Sequence, residues 1–255
     1  MRIDAFLVKN AFYKSRTKAC EGIDRGEVFV NGKPCVKHSL EVCESDKIEV
    51  IQSEKPFVSV GGDKLKRAID IIIPSIEGKV FIDVGASTGG FTDCLLRFGA
   101  KHVFCVDVGE NLLDQSLASD SHVTVMDRTN ARYLTAEQFG GKVDAIVVDC
   151  SFISLEYILP SLTPLLKANG YILALIKPQF ELQERVKMKN GILRNENERV
   201  KILKRLYEFV ISLKMHPQAI VPVTIDKNKN SEYIFYLSVN GADVPYENII
   251  IKGKY

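Results

Sequence analysis

Lys177 directly follows the apolar run YILALI at residues 171–176. An ammonium at the end of a buried strand is costly to desolvate when unpaired, so this lysine needs a partner or a chemical task. Two carboxylates stand at comparable places: Asp149 closes the run AIVVD, and Glu232 opens EYIFYLSV. Lys64 lies in a helical stretch ahead of these runs. Two amines and two carboxylates therefore fall where a folded sheet gathers residues that are distant in sequence.

A second pattern points to a ligand. The run KVFI is followed by Asp83-Val84-Gly85-Ala86-Ser87-Thr88-Gly89-Gly90 and then by a helical stretch, a tight glycine turn of the kind found at the carboxyl edge of a parallel sheet. A dinucleotide fingerprint needs a second glycine where Ser87 stands, and a phosphate loop needs a terminal Gly-Lys-Ser/Thr that is missing here. The turn suits an adenosine ligand without a pyrophosphate. Asp107 comes about 20 residues later, at the end of the next strand, where a carboxylate accepts from ribose hydroxyls. Asp127 ends the third strand, in reach of an adenine amine. With Asp149, the reading is that Asp83, Asp107, Asp127 and Asp149 terminate four successive strands on one edge. Acidic groups suit a cationic sulfonium better than an anionic pyrophosphate.

The elements that must position these groups are legible as periodicity. From Lys79 onward, short apolar runs (KVFIDVG, HVFCVDVG, VTVMD, AIVVD, GYILALI) alternate with helical stretches. Near-continuous apolar strands separated by helices mean a mostly parallel sheet covered on both faces, an α/β Rossmann-like domain. A helix is expected over residues 155–167, kinked or divided by Pro160 and Pro164, and another over 196–214. The runs QAIVPVTI and EYIFYLSV complete seven strands with an antiparallel addition, which class I methyltransferases have and most dehydrogenases lack. A further helix over 63–72 precedes the first strand.

The first fifty residues read differently. Helices are expected over 4–10 and 15–24, with Ser15 as N-cap, then a hairpin at Asn31-Gly32 and a returning strand within 46–51, a small α+β unit. The polar stretch QSEKPF, 52–57, reads as a linker, dividing the chain into domains 1–55 and 56–255. Five basic groups, Arg2, Lys9, Lys14, Arg16 and Lys18, face one acid, Asp4, in the first twenty residues. A second basic stretch runs from Arg185 to Arg205.

Composition sets the outer limits. The 255 residues are 46% hydrophobic, which supports a sizeable core and argues against disorder. A formal charge of +2 leaves nucleic-acid affinity to local placement of Lys and Arg. No run approaches the roughly 18 apolar residues of a membrane span, and the opening MRIDAFLVKNAFYKSR lacks the features of a secretory signal. The six cysteines form no C-x-x-C pair, and the half-sites Cys35/His38 and His102/Cys105 lack a second half. A cytoplasmic, metal-free protein is the expectation.

The segments RIDAFLVKNAFYKSRTKA, GEVFVNGKP, DVGASTGGFTDCLL, VDVG, DRTN, DCSFISL, IKPQFE and NSEYIFYL together resemble the TlyA family of hemolysins and ribosomal RNA 2′-O-methyltransferases. The catalytic half is similar to the FtsJ-like methyltransferases, and the N-terminal unit resembles the small RNA-binding fold named after ribosomal protein S-four. The resemblance implies a class I S-adenosylmethionine-dependent methyltransferase acting on a ribose 2′-hydroxyl, its cytidine preference included, with ribosomal RNA or a ribosomal subunit as partner. It implies a catalytic tetrad of Lys64, Asp149, Lys177 and Glu232. It also implies a cofactor pocket of Gly85, Ser87, Gly89, Phe91, Asp107 and Asp127, to which the glycine turn itself adds Asp83 and Gly90; the basic cluster of the N-terminal unit points to RNA contacts at Arg2, Lys14, Arg16 and Lys18. Where the family often has Arg ahead of the first tetrad lysine, this chain has Val60. Three competitors remain at this point: a non-catalytic RNA-binding or assembly factor, a membrane-acting hemolysin, and a nicotinamide-dependent oxidoreductase. Ser87 and the antiparallel ending disfavour the last.

Overall fold

The computed structural model describes the chain except residues 44, 52–55, 185, 187, 189, 190, 226, 227 and 252–255. Most of the expected linker therefore lies outside the described residues, as do Arg185, Lys187 and Lys189 of the second basic stretch. The chain divides into two compact units, Met1–Pro56 and Phe57–Tyr255.

In the first unit, helices α1 (Ile3–Lys9) and α2 (Arg16–Asp24) pack on a three-stranded sheet of β1 (Val28–Val30), β2 (Lys33–Pro34) and β3 (Ile48–Val50). Ser15 caps α2, its hydroxyl accepting from the Lys18 amide at 3.3 Å. Asn31 and Gly32 both have positive φ, 52° and 74°, as a two-residue hairpin turn requires. β3 returns antiparallel beside β1. Ile3, Leu7, Ala19, Ile23 and Val28 form the core.

The second unit begins with α3 (Val60–Ile72), three residues earlier than its apolar spacing predicts. It then alternates β4 (Val80–Val84), α4 (Gly90–Arg97), β5 (His102–Val106), the short α5 (Gln115–Ala118), β6 (Val123–Met126) and β7 (Val143–Val148). α6 (Leu159–Leu162), β8 (Leu166–Ile176), α7 (Glu196–Ser212), β9 (His216–Pro222), β10 (Tyr233–Ser238) and α8 (Tyr246–Ile249) follow. The seven strands run in the order β6-β5-β4-β7-β8-β10-β9. β10 is antiparallel to both its neighbours and slots between β8 and β9.

Strand parity separates two cores. Ile82, Val84, Ile146, Val148, Ile172 and Ala174 face α6 and α7. Phe81, Ala145, Val147, Leu173 and Leu175 face α3 and α4. The helix expected over 155–167 is broken at both prolines into a 3-10 turn Leu155–Tyr157, the single turn of α6 and a second 3-10 turn Thr163–Leu165. Pro160 and Pro164 each fall at the start of a short segment, where a missing N–H costs no intrahelical bond.

Candidate active site

The four tetrad candidates form two ion pairs. Lys177 Nζ lies 2.5 Å from Asp149 Oδ1 and donates to Ser151 Oγ at 2.9 Å. Lys64 Nζ lies 2.6 Å from Glu232 Oε2. All four side chains are at least three-quarters buried. Each lysine thus has its own carboxylate, which answers the desolvation problem raised by an amine at a strand end.

Neighbouring elements bring the pairs together. β7 and β8 are parallel neighbours, and Asp149 and Lys177 each follow the last residue of their strand. Tyr233 of β10 stands opposite Ile176 of β8, so Glu232, one step further, comes alongside Lys177; such partners have Cα atoms about 5 Å apart. The first turn of α3 spans both pairs. A side chain at Gly61 would stand 3.8 Å from Asp149 Oδ2, and Lys64, three residues on, lies on the same helix face. Arg67, one turn further, donates to the Thr224 carbonyl at 3.0 Å and holds α3 against this edge.

Beside the tetrad, the carboxyl ends of β4, β5 and β7 open a cleft of about 440 Å³. Val84, Val106, Val108, Leu112, Ile153 and Ile158 give it apolar walls, while Asp107, Asn130, Asp149 and Ser151 are polar. Gly85 and Ser87 supply its floor. Gly85 has φ 80°, and a side chain there would strike the Asp149 carbonyl at 2.7 Å. Ser87 adopts φ 47°, and its amide donates to Asp107 Oδ2 at 2.9 Å. The other Asp107 oxygen accepts from the Gly109 amide at 2.8 Å, so this carboxylate orders the turn while retaining acceptor capacity towards the cleft. The set fits an adenosine with a cationic tail: an apolar slot, a carboxylate at the end of β5 and a second carboxylate where the tail would lie. Side chains of Leu113 and Leu117 fill the space beside Gly89, and Ser59 Oγ fills that beside Gly90.

The remaining predicted pocket residues lie elsewhere. Asp127 stands by a separate hollow with Asn111, Leu113 and Gln115, its carboxylate accepting from the Asn111 amide at 2.9 Å. Gly89, Gly90 and Phe91 open α4; Phe91 is buried and packs towards Gly61. Asp83 corrects the reading of four strand-terminal aspartates, because it lies inside β4 rather than after it. Parity turns it under α4, where it is fully buried and accepts from Thr92 Oγ1 at 2.7 Å. Burial pushes its carboxyl up to about 7, with Thr92 opposing this and Asp149 and Asp107 adding to it.

Several lining residues escaped the sequence reading. Thr129 and Asn130 line the cleft from the DRTN segment, Arg132 from the 3-10 turn that follows it, and Cys150 and Ser151 from DCSF. Phe152, next to Ser151, is 87% exposed with φ 64° and leans on Phe180 in a tilted contact, 4.8 Å between ring centroids. An exposed phenylalanine in the left-handed region carries both a solvation and a conformational cost. Glu181 holds this loop: it is buried, accepts from Ser154 Oγ at 2.5 Å and from the Leu155 amide at 3.0 Å, and burial pushes its carboxyl up.

In the N-terminal unit, Arg2 and Arg16 both bind Asp4, Lys18 pairs with Glu21 and Lys14 is exposed. Among the described residues no helix is long and apolar enough to cross a membrane.

Comparison with known proteins gives two family matches. The model of FtsJ-like methyltransferases matches residues 57–239, and that of the S4 domain matches residues 1–48. The 16S/23S rRNA (cytidine-2′-O)-methyltransferase TlyA of Mycobacterium tuberculosis is 44% identical over 182 residues, 71% of this chain and 68% of that protein. Hemolysin A of Brachyspira hyodysenteriae is 37% identical over 94% of this chain and all of that protein. A solved structure described as a putative hemolysin from Streptococcus thermophilus superposes with a TM-score of 0.72 at 33% identity, covering 95% of this chain and 90% of that one.

Proposed function

Since this chain belongs to the FtsJ-like methyltransferase family and carries an S4 domain ahead of the catalytic unit, we propose that it methylates the 2′-hydroxyl of a cytidine ribose in ribosomal RNA, using S-adenosylmethionine. The observation that carries this reading is the Lys177–Asp149 pair, 2.5 Å apart at the edge of a cleft that Asp149 itself lines. The cytidine and the ribosomal RNA come from what the Mycobacterium tuberculosis relative is called. A ribosomal substrate makes the cytoplasm the working compartment.

S-adenosylmethionine supplies a methyl group already activated by its positive sulfur. The chain's own residues then have to hold the cofactor, align the ribose oxygen and move one proton. Asp107 would take the cofactor's ribose hydroxyls, the apolar walls would hold its base, and Asp149 would balance its positive charge. Lys177 orients the 2′-hydroxyl and, once its ammonium has given a proton to solvent, accepts the hydroxyl proton as the oxygen attacks; Asp149 and Ser151 stabilise the ammonium that is restored. Glu232 keeps Lys64 at the site's edge. Alignment of this kind contributes several kcal/mol. Phe152 presents its ring to solvent beside Ser151 and offers a stacking surface for the target base.

The test is incubation with methyl-labelled S-adenosylmethionine and purified bacterial ribosomal subunits, followed by mapping of alkali-resistant linkages. The reading expects label at a ribose 2′-oxygen. RNA binding without methyl transfer, or label on a base, contradicts it.

A further inference from the structure

Among the described residues of the N-terminal unit, Asp4 is the one buried charged group. Its four acceptor positions are all used. Oδ1 accepts from Arg2 Nε at 3.2 Å and from the Ala5 amide at 2.8 Å. Oδ2 accepts from Arg2 Nη2 at 3.0 Å and from Arg16 Nη2 at 2.7 Å. Burial works against ionisation of Asp4, but the hydrogen bonds from Arg16, Arg2 and Ala5 outweigh it and bring the carboxyl down to about 2.

The arginines are placed differently from their acceptor. Arg2 caps α1 and Arg16 opens α2, and their side chains are 50% and 58% exposed. One oxygen accepts from both, so the two Nη2 atoms are neighbours. Each guanidinium has five N–H donors, of which Arg2 spends two and Arg16 one on Asp4. Among the described residues the other donors have no hydrogen-bond partner, and they remain for a ligand. Two cations around one anion leave a net single positive charge, the complement of one phosphodiester, and planar guanidinium forks match phosphate oxygens.

We propose that Asp4 is a positioning residue that sets Arg2 and Arg16 as one two-guanidinium clamp for a single backbone phosphate of the RNA. This rests on the reading that the chain binds RNA and deepens it, by assigning an acidic residue a favourable part in holding a polyanion. Simple charge counting gives the opposite sign: deleting a negative group from a basic surface should tighten RNA binding and steepen its salt dependence.

The experiment measures binding of the full chain to a short fluorescein-labelled RNA hairpin between roughly 50 and 200 mM salt. Arg2→Ala/Arg16→Ala should weaken binding and make the salt slope shallower by about one. Unchanged affinity in that variant sinks both the RNA role of these arginines and the clamp. Asp4→Asn should weaken binding roughly 3- to 10-fold without steepening the slope, in line with the loss of charge-assisted hydrogen bonds. If the arginine variant weakens binding but Asp4→Asn tightens it, the RNA reading stands and the positioning role falls. A lysine background separates orientation from folding. In Arg2→Lys/Arg16→Lys the charge stays and the forks are gone, so adding Asp4→Asn should change affinity less than about twofold. An equal loss in both backgrounds means Asp4 only maintains the fold, and overturns the proposal.

Discussion

Lys177 Nζ and Asp149 Oδ1 meet at 2.5 Å because β7 and β8 run parallel as neighbours and each strand is followed at once by one of the two residues. Neither group is placed by a loop, so the geometry of the pair is inherited from the sheet. The residues less directly held are those of the segment after Asp149, and they supply the next two tests.

Phe152 is exposed and conformationally strained, costs that a substrate base stacked on the ring would offset. Stacking of a base on an aromatic ring is worth about 1–3 kcal/mol. Phe152→Ala should therefore raise the KM for ribosomal subunits roughly 5- to 150-fold, while Phe152→Tyr stays near wild type. Steady-state kinetics with both variants check this, and equal KM values would remove Phe152 from RNA recognition.

Glu181 ties the segment 150–155 to the chain beyond Lys177 through Ser154 Oγ and the Leu155 amide, while Arg205 donates to its carbonyl at 2.6 Å. Removing a buried acceptor leaves its donors unpaired at about 1–3 kcal/mol. Glu181→Ala is expected to destabilise by roughly 2–4 kcal/mol and to lower kcat for methyl transfer. Denaturant unfolding and single-turnover rates read the two effects separately.

Asp83 predicts a pH trend. Its carboxyl is raised to about 7 in the folded protein against about 4 when unfolded, so between these values the folded state binds the extra proton. Stability then falls as pH rises through this window and levels off above it. Asp83→Asn removes the penalty: its stability relative to wild type should grow from pH 4 to pH 7, by at most about 4 kcal/mol. Chemical denaturation across that range provides the measurement. A difference that is flat with pH contradicts the buried, protonating carboxyl.

The same residue shows what was legible in the sequence. Apolar runs ending in Asp107, Asp127 and Asp149 were readable as strand ends because each aspartate does follow its strand. Asp83 has the same neighbours in sequence but lies one residue inside β4, and parity sends it under α4; a one-residue uncertainty in a strand end reverses the face. Lys177 and Asp149 were readable because a charge abutting a buried strand demands explanation. Phe152 was not, since exposure and a positive φ leave no periodic trace. Asn130 and Arg132 line the cleft from the cap and the body of a single 3-10 turn, too short for a period to be read. Asp4 counted as a lone acid among bases, and only the packing of α1 against α2 shows that it is buried beneath two of them.

The central claim is that the amine of Lys177 manages the proton of the attacking ribose oxygen. Its most direct test is the single-turnover rate of methyl transfer by Lys177→Ala, with S-adenosylmethionine affinity measured by calorimetry on the same preparation. The rate should fall by roughly 100- to 10,000-fold while cofactor affinity changes less than about twofold, since Lys177 does not line the cleft. A Lys177→Ala variant that transfers methyl at the wild-type rate would contradict the account.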